Sequence, residues 1–98
     1  MIKIYGMSSC PDCSYVWKQA KGNPTYEIID FGHHVSDLKA FLRLRDHDRV
    51  FDEARARGAV GIPCFVLEDG RVTLVPEEAG LSARPVQGQA CSLDGTGC

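Results

Sequence analysis

Apolar and polar positions alternate in two early segments of the chain, and a helical pattern separates them. Residues 1–5, MIKIY, switch faces at each position and are followed by Gly6, which predicts a first strand. Residues 11–22, PDCSYVWKQAKG, carry apolar side chains at helical spacing, begin with proline and end at glycine, which predicts a helix. Residues 26–31, YEIIDF, predict a second strand. Since a helix joins the two strands, we expect them to pair in parallel through a right-handed crossover.

Two further helices are predicted in the middle of the chain. Ser36 is expected to cap residues 37–45, DLKAFLRLR, in which the apolar side chains recur on one face. Residues 49–58, RVFDEARARG, repeat this pattern and end at Gly58, a residue type that often terminates helices. Both helices are expected to cover the sheet.

The last predicted elements form a hairpin. Residues 63–67 and 71–75 are rich in β-forming residues and flank Asp69-Gly70, a strong hairpin signal. The order β-α-β-α-α-β-β therefore predicts an α/β domain over residues 1–84, with a central four-stranded mixed sheet flanked by helices. Residues 85–98 contain three glycines and few core-forming residues, and we expect a flexible tail that carries cysteines.

Composition and charge argue against several classes of function. The 98 residues suffice for one domain with a single hydrophobic core. The net charge is −2, and basic and acidic residues are interleaved in the middle segment, which gives no basic stripe for a nucleic acid backbone. The N-terminus lacks the apolar core of a signal peptide, and the apolar run IPCFVL is too short to cross a bilayer. We therefore expect no nucleic acid or membrane partner and a cytoplasmic location, where thiols are kept reduced.

Cys10 and Cys13 form a Cys-x-x-Cys motif between the first strand and the first helix. This spacing fits a redox dithiol, half of a metal site, or two buried sulfurs without chemistry. The chain has five cysteines, an odd number that cannot pair completely within one molecule. In a reducing compartment the motif favours redox chemistry or metal binding over a structural disulfide, and its place in this pattern indicates a thioredoxin-like fold.

Three further cysteines have different expected roles. Cys64 follows Pro63 in a predicted strand, and the alternation of side chains places it in the core, away from a site that Pro63 would face. Cys91 and Cys98 lie in the weakly hydrophobic tail. They leave three uses open: an auxiliary dithiol that relays electrons to or from the first pair, extra ligands for a zinc or iron-sulfur site shared with that pair, or incidental thiols. The relay is the preferred interpretation. His33 and His34 lack the spacing of a zinc site and predict a polar loop before a helix.

The chain resembles the glutaredoxins of the thioredoxin-like superfamily, and most of all the small bacterial proteins called glutaredoxin-related. The resemblance covers residues 1–75 and rests on CPDC at the head of the first helix and GIPCF at the third strand. It implies a thiol-disulfide oxidoreductase in which Cys10 is the nucleophile and Cys13 the resolving cysteine. It also implies that Ile62 and Pro63 dock the substrate and that the peptide bond between them is cis.

The resemblance further implies the partners of such an enzyme. The substrate would be a disulfide-containing protein or a glutathione mixed disulfide, and the reductant would be glutathione or an upstream reductase, with no tightly bound cofactor or metal. The chain departs from the family pattern at Met7, where many members have lysine, and at Asp12, where tyrosine is usual. A carboxylate raises the pKa of a nearby thiol, and we expect Asp12 to make the motif more reducing.

Thiol-disulfide exchange requires a thiolate, and the predicted position of Cys10 favours one. At the start of a helix, unpaired N–H groups and the helix dipole lower the pKa of a thiol toward 7 or below. Pro11 fits the first turn because no N–H is needed there. Cys13 lies one turn further on the same face and is expected to be less exposed, as a resolving cysteine should be.

Overall fold

The computed structural model describes residues 1–85, and its fold is α/β with one four-stranded mixed sheet. The strands are β1 (Ile2–Gly6), β2 (Tyr26–Asp30), β3 (Cys64–Val66) and β4 (Val72–Thr73), and the helices are α1 (Pro11–Ala20), α2 (Val35–His47) and α3 (Asp52–Arg57). Short 3₁₀ segments cover Arg49–Phe51 and Pro76–Ala79. The predicted order of elements and the mixed sheet are confirmed.

The strands lie in the order β2-β1-β3-β4, which places the first strand in the interior of the sheet. β1 pairs in parallel with β2, as expected for two strands joined by α1, and Ile4 is opposite Ile28. β1 pairs antiparallel with β3, and β3 with β4. The predicted turn joins the last two strands, since the Gly70 N–H donates to the Leu67 carbonyl at 2.9 Å.

Both faces of the sheet are covered by apolar side chains. Ile4 and Tyr5 are neighbours in β1 and belong to different core clusters, because successive strand residues point to opposite faces. The Tyr5 cluster contains Phe41 of α2, which stacks on Phe31 with ring centroids 4.8 Å apart. Phe51 completes this aromatic group, so the two middle segments cover the sheet as predicted. Within residues 1–85, no helix is both long and apolar enough to span a bilayer.

The predicted cap of α2 is wrong. The helix begins at Val35 with His34 in the capping position, and Ser36 therefore lies inside the first turn. A tight turn precedes the helix, in which the Asp30 carboxylate accepts a hydrogen bond from the Gly32 N–H at 2.9 Å. The His34 carbonyl accepts from the Asp37 N–H at 3.1 Å, so the helix begins one residue before the serine. The sequence pattern did not show the preceding turn, because that turn depends on the side chain of a strand residue.

The predicted helix over 49–58 consists of two parts. The Asp48 carboxylate accepts from the Val50 N–H at 3.0 Å and caps a 3₁₀ turn, after which α3 follows. The helix ends at Gly58, whose φ of +74° is the left-handed conformation that glycine adopts without strain. The predicted end of the helix is therefore confirmed.

The last two strands are shorter than the predicted runs of 63–67 and 71–75. β3 begins after Pro63, which has no N–H to donate to a strand ladder. β4 ends at Thr73, because the Val75 N–H donates to the Thr73 hydroxyl at 3.1 Å and not to a neighbouring strand.

Gly61 provides a test of packing beside the sheet. A Cβ atom at this position would lie 2.7 Å from two ring carbons of Phe51, and φ is +90°. We expect Gly61→Ala to lose about 1–2 kcal/mol from the left-handed backbone and about 1–3 kcal/mol more from overpacking. Gly70→Ala is the matched control, since Gly70 has a φ of +88° and open space around it. Urea unfolding measures both variants, and equal losses of stability would show that the Phe51 contact is unimportant.

Candidate functional site

The two cysteines of the motif meet at the start of α1. Cys10 occupies the N-cap position in extended conformation, with φ of −90° and ψ of 120°, and Pro11 is the first helical residue. The Cys10 carbonyl accepts from the Ser14 N–H at 3.0 Å, and the Cys10 N–H donates to Met7 at 3.1 Å. Cys13 lies one turn into the helix, and its thiol is hydrogen-bonded to the sulfur of Cys10. The predicted placement of both residues is confirmed.

The pKa of Cys10 is lowered from 9.0 to about 7. The main cause is the hydrogen bond from the Cys13 thiol, and the backbone N–H groups of Cys13 and Asp12 add to it. Burial and the negative charge of Asp12 act in the opposite direction. The expected direction is therefore confirmed, although a neighbouring thiol contributes more than the N–H groups at the start of the helix.

The pKa of Cys13 is raised, chiefly because its thiol proton is held in the hydrogen bond to Cys10 and because the side chain is buried. Cys13 is fully buried, whereas Cys10 keeps an exposed fraction of 6%. The more exposed residue, Cys10, is therefore the one whose thiol ionises more readily. This is the division of properties that nucleophilic attack followed by resolution requires.

Gly6 belongs to the site, although the sequence suggested only the end of a strand. A Cβ atom at Gly6 would lie 2.6 Å from the Sγ atom of Cys13 and 3.1 Å from Cζ2 of Trp17. The missing side chain allows the first turns of α1 to pack directly on the end of β1. The only signal in the sequence was a glycine four residues before the motif.

Ile62 and Pro63 lie beside α1 and border a groove of about 240 Å³. The peptide bond between them is cis, as the resemblance implies. Asp12 and Val16 of α1 form part of the groove wall, together with residues of the C-terminal segment that include Arg84. The structure therefore brings the predicted docking residues to the helix that carries both cysteines.

An ion pair between Asp12 and Arg84 forms part of the lining of this groove. Arg84 Nε donates to Asp12 Oδ1 at 2.6 Å. The two residues are 72 positions apart, and no local pattern connects them. Sequence reasoning predicted an electrostatic role for Asp12 and missed Arg84 completely.

Among the remaining candidates, Cys64 belongs to the same core cluster as Cys10 and Cys13. Cys64 is fully buried, as predicted, and burial is the main reason that its pKa is raised to about 12. His33 and His34 lie at the predicted polar turn before α2, with His33 3.7 Å from the Asp30 carboxylate. Among residues 1–85, no group of three or more histidine, cysteine or acidic side chains is close enough to hold a metal ion.

Two predictions concern residues that the structure leaves undescribed. Cys91 and Cys98, with the auxiliary redox role assigned to them, lie outside the described residues. The predicted tail over 85–98 also lies outside them, except for Pro85.

An uncharacterized protein of Haemophilus influenzae is similar to this chain. The two sequences are 32% identical over 72 residues, which cover 72% of this chain and 84% of the Haemophilus protein. No family model and no solved structure matches the chain.

Proposed function

We propose that the chain, which belongs to the same family as the uncharacterized Haemophilus influenzae protein, is a glutaredoxin-like thiol-disulfide oxidoreductase. It reduces protein or small-molecule disulfides through the dithiol of Cys10 and Cys13. The observation that carries this proposal is the lowered pKa of Cys10, about 7, beside a second thiol that holds its proton. A thiol with this pKa is substantially ionised at neutral pH, whereas an ordinary cysteine is not.

The arrangement of the sheet supports a thioredoxin-like fold of the glutaredoxin kind. The sheet order β2-β1-β3-β4 combines one parallel and two antiparallel pairs, and the dithiol lies where β1 leads into α1. The cis peptide bond before Pro63 borders the same groove as the first turn of that helix. These features agree with the fold that the CPDC and GIPCF motifs imply.

In the first step the Cys10 thiolate attacks one sulfur of the substrate disulfide. A new S–S bond joins Cys10 to the substrate, the substrate S–S bond breaks, and its electron pair leaves on the other sulfur, which takes up a proton. In this mixed disulfide the sulfur of Cys10 is bonded to the substrate and carries no negative charge. The hydrogen bond that raised the pKa of Cys13 is therefore lost, and Cys13 releases its proton more readily.

In the second step the Cys13 thiolate attacks the sulfur of Cys10. The mixed disulfide breaks, the remaining substrate sulfur leaves as a thiolate, and a disulfide joins Cys10 to Cys13. Two electrons have passed from the protein to the substrate. Glutathione or an upstream reductase must supply two electrons to restore the dithiol.

The groove along α1, whose lining includes Asp12 between the two cysteines, gives the substrate a place to bind. Val16, Ile62, Pro63 and Leu74 provide an apolar lining, and the pair of Asp12 and Arg84 is polar. We assign Ile62 and Pro63 to substrate docking, as the family resemblance implies. The auxiliary relay through the tail cysteines stays a prediction.

The pH dependence of alkylation tests the proposed nucleophile. Iodoacetamide is expected to modify Cys10 with a rate that rises through a midpoint near pH 7, because the thiolate is the reacting form. Mass spectrometry of peptides locates the modified residue. Cys13→Ala is the control, since it removes the main cause of the lowered pKa and should move the midpoint upward. If Cys10 instead reacts like a free thiol, with a midpoint near 8.5, and mild oxidation forms no bond to Cys13, the proposed function is wrong.

A further inference from the structure

We propose that Arg84 is a positioning residue for the dithiol: it holds the Asp12 carboxylate in an ion pair and shields the sulfur of Cys10 from that negative charge. This inference deepens the proposed function and rests on it, because it concerns the ionisation of the same cysteine. Asp12 lies between the two cysteines in the motif, so its charge cannot be far from the reacting sulfur.

The geometry of the pair is that of a strong, directed contact. Arg84 Nε lies 2.6 Å from Asp12 Oδ1, and the two side chains are 21% and 34% exposed. A charged hydrogen bond of this length is stronger than a neutral one, and partial burial protects it from solvent screening. Contacts between fully exposed charges would be weaker.

The C-terminal segment 79–84 carries Arg84 to this position along the surface of α1. The Tyr26 hydroxyl donates to the Ala79 carbonyl at 2.7 Å, which fixes the beginning of the segment. Gln19, in the last turn of α1, then makes two hydrogen bonds with the Ser82 backbone, at 2.8 and 2.9 Å. Arg84 reaches Asp12 in the first turn, so the segment runs from the end of the helix toward its beginning. Three separate anchors hold this path.

The Asp12 side chain has two opposing effects within the motif, and the ion pair weakens the unfavourable one. An acidic residue in the first turn stabilises a helix, but its negative charge opposes a thiolate at the same end. Within residues 1–85, the titratable side chains that act on Cys10 are Cys13, which favours the thiolate, and Asp12, which disfavours it. The Asp12 N–H also donates to the Cys10 sulfur, so the backbone of Asp12 favours the thiolate of Cys10 while its carboxylate disfavours it. The positive charge of the Arg84 guanidinium offsets the negative charge of the Asp12 carboxylate, which disfavours the thiolate.

The pH–rate profile of Cys10 alkylation tests this role. Arg84→Ala is expected to move the midpoint upward by about half a unit to one unit, because the Asp12 charge then acts without its counter-ion. At pH 6 such a shift lowers the rate about 3- to 10-fold, in proportion to the thiolate fraction. Arg84→Lys keeps the positive charge and should recover most of the wild-type rate.

Two control variants separate an electrostatic role from a structural one. In an Asp12→Asn background, Arg84→Ala should leave the midpoint unchanged, since no carboxylate remains to be shielded. Gln19→Ala removes the anchor at Ser82 without removing a charge, and should shift the midpoint by less than Arg84→Ala does, because the ion pair and the Tyr26 hydrogen bond still hold the segment.

Three results would overturn the inference: an unchanged midpoint in Arg84→Ala, a shift that persists in the Asp12→Asn background, or an equal shift in Gln19→Ala. These results are distinct from failure of the proposed function, which depends on the midpoint of the wild-type protein and on whether mild oxidation joins Cys10 to Cys13. The differences among variants are measurable whatever that midpoint is.

Discussion

Cys10→Ser is expected to lose the disulfide-reducing activity, with a decrease of about 1000-fold or more, because the nucleophile itself is removed. A serine hydroxyl is not ionised at neutral pH and cannot replace a thiol whose pKa is about 7. Cys13→Ser is expected to behave differently. It leaves the first attack possible and removes the second, so the protein should accumulate as a mixed disulfide on Cys10.

A single-turnover assay distinguishes the two variants without knowledge of the natural reductant. The pre-reduced protein is mixed with a fluorescent peptide disulfide, and mass spectrometry follows the release of one peptide thiol and the adduct on the protein. Cys64→Ala is the matched control, because Cys64 is fully buried and outside the proposed reaction. Its rate should equal that of the wild type. Equal rates for wild type and Cys10→Ser would remove Cys10 from the mechanism.

The Cys13→Ser variant also identifies the substrate. In a cell extract it should retain partners through a disulfide on Cys10, since the resolving thiol is missing. The partners released by a reducing agent then show whether proteins or glutathione occupy the site. Capture that persists when Cys10 is also replaced would contradict the assigned roles.

The parts of the fold that sequence could predict depend on local signals. The alternation in β1, the proline at the start of α1 and the glycine at the end of α3 each act within a few residues of the feature they determine. The cap of α2 was predicted at Ser36, whereas the helix begins at Val35, after a turn in which the Asp30 carboxylate accepts from the Gly32 N–H. The lengths of β3 and β4 depend on which backbone groups find partners in other strands, and those pairings are not local.

Some residues of the candidate site could likewise be predicted from the sequence, and others only from contacts in the folded chain. Cys10 and Cys13 are visible from their spacing, and Pro63 from its resemblance to a family motif. Gly6 and Arg84 contribute only through contacts with side chains elsewhere in the fold. Their roles required the three-dimensional arrangement. The lowered pKa of Cys10 combines both kinds of information, because the predicted N–H groups act together with the Cys13 thiol.

Gly6→Ala is expected to damage both stability and the dithiol. The new Cβ atom would lie 2.6 Å from Cys13 Sγ, and Cys13 is fully buried, so its sulfur has no space to move into. The backbone of Gly6 is also held in place, because its carbonyl accepts from the Phe31 N–H at 3.1 Å and β1 is an interior strand. The strain therefore falls on the first turns of α1, with a loss of about 1–3 kcal/mol in the free energy of unfolding.

A double-mutant cycle shows whether this loss comes from the sulfur. In a Cys13→Ala background the closest contact of the new Cβ atom is removed, and the remaining ones begin at 3.1 Å, to Cys13 Cβ and Trp17 Cζ2. Urea unfolding should therefore show a smaller loss for Gly6→Ala in that background. In the protein that retains Cys13, displacement of its thiol from the Cys10 sulfur should also raise the midpoint of Cys10 alkylation. The same loss of stability in both backgrounds would mean that Gly6 serves the strand and not the dithiol.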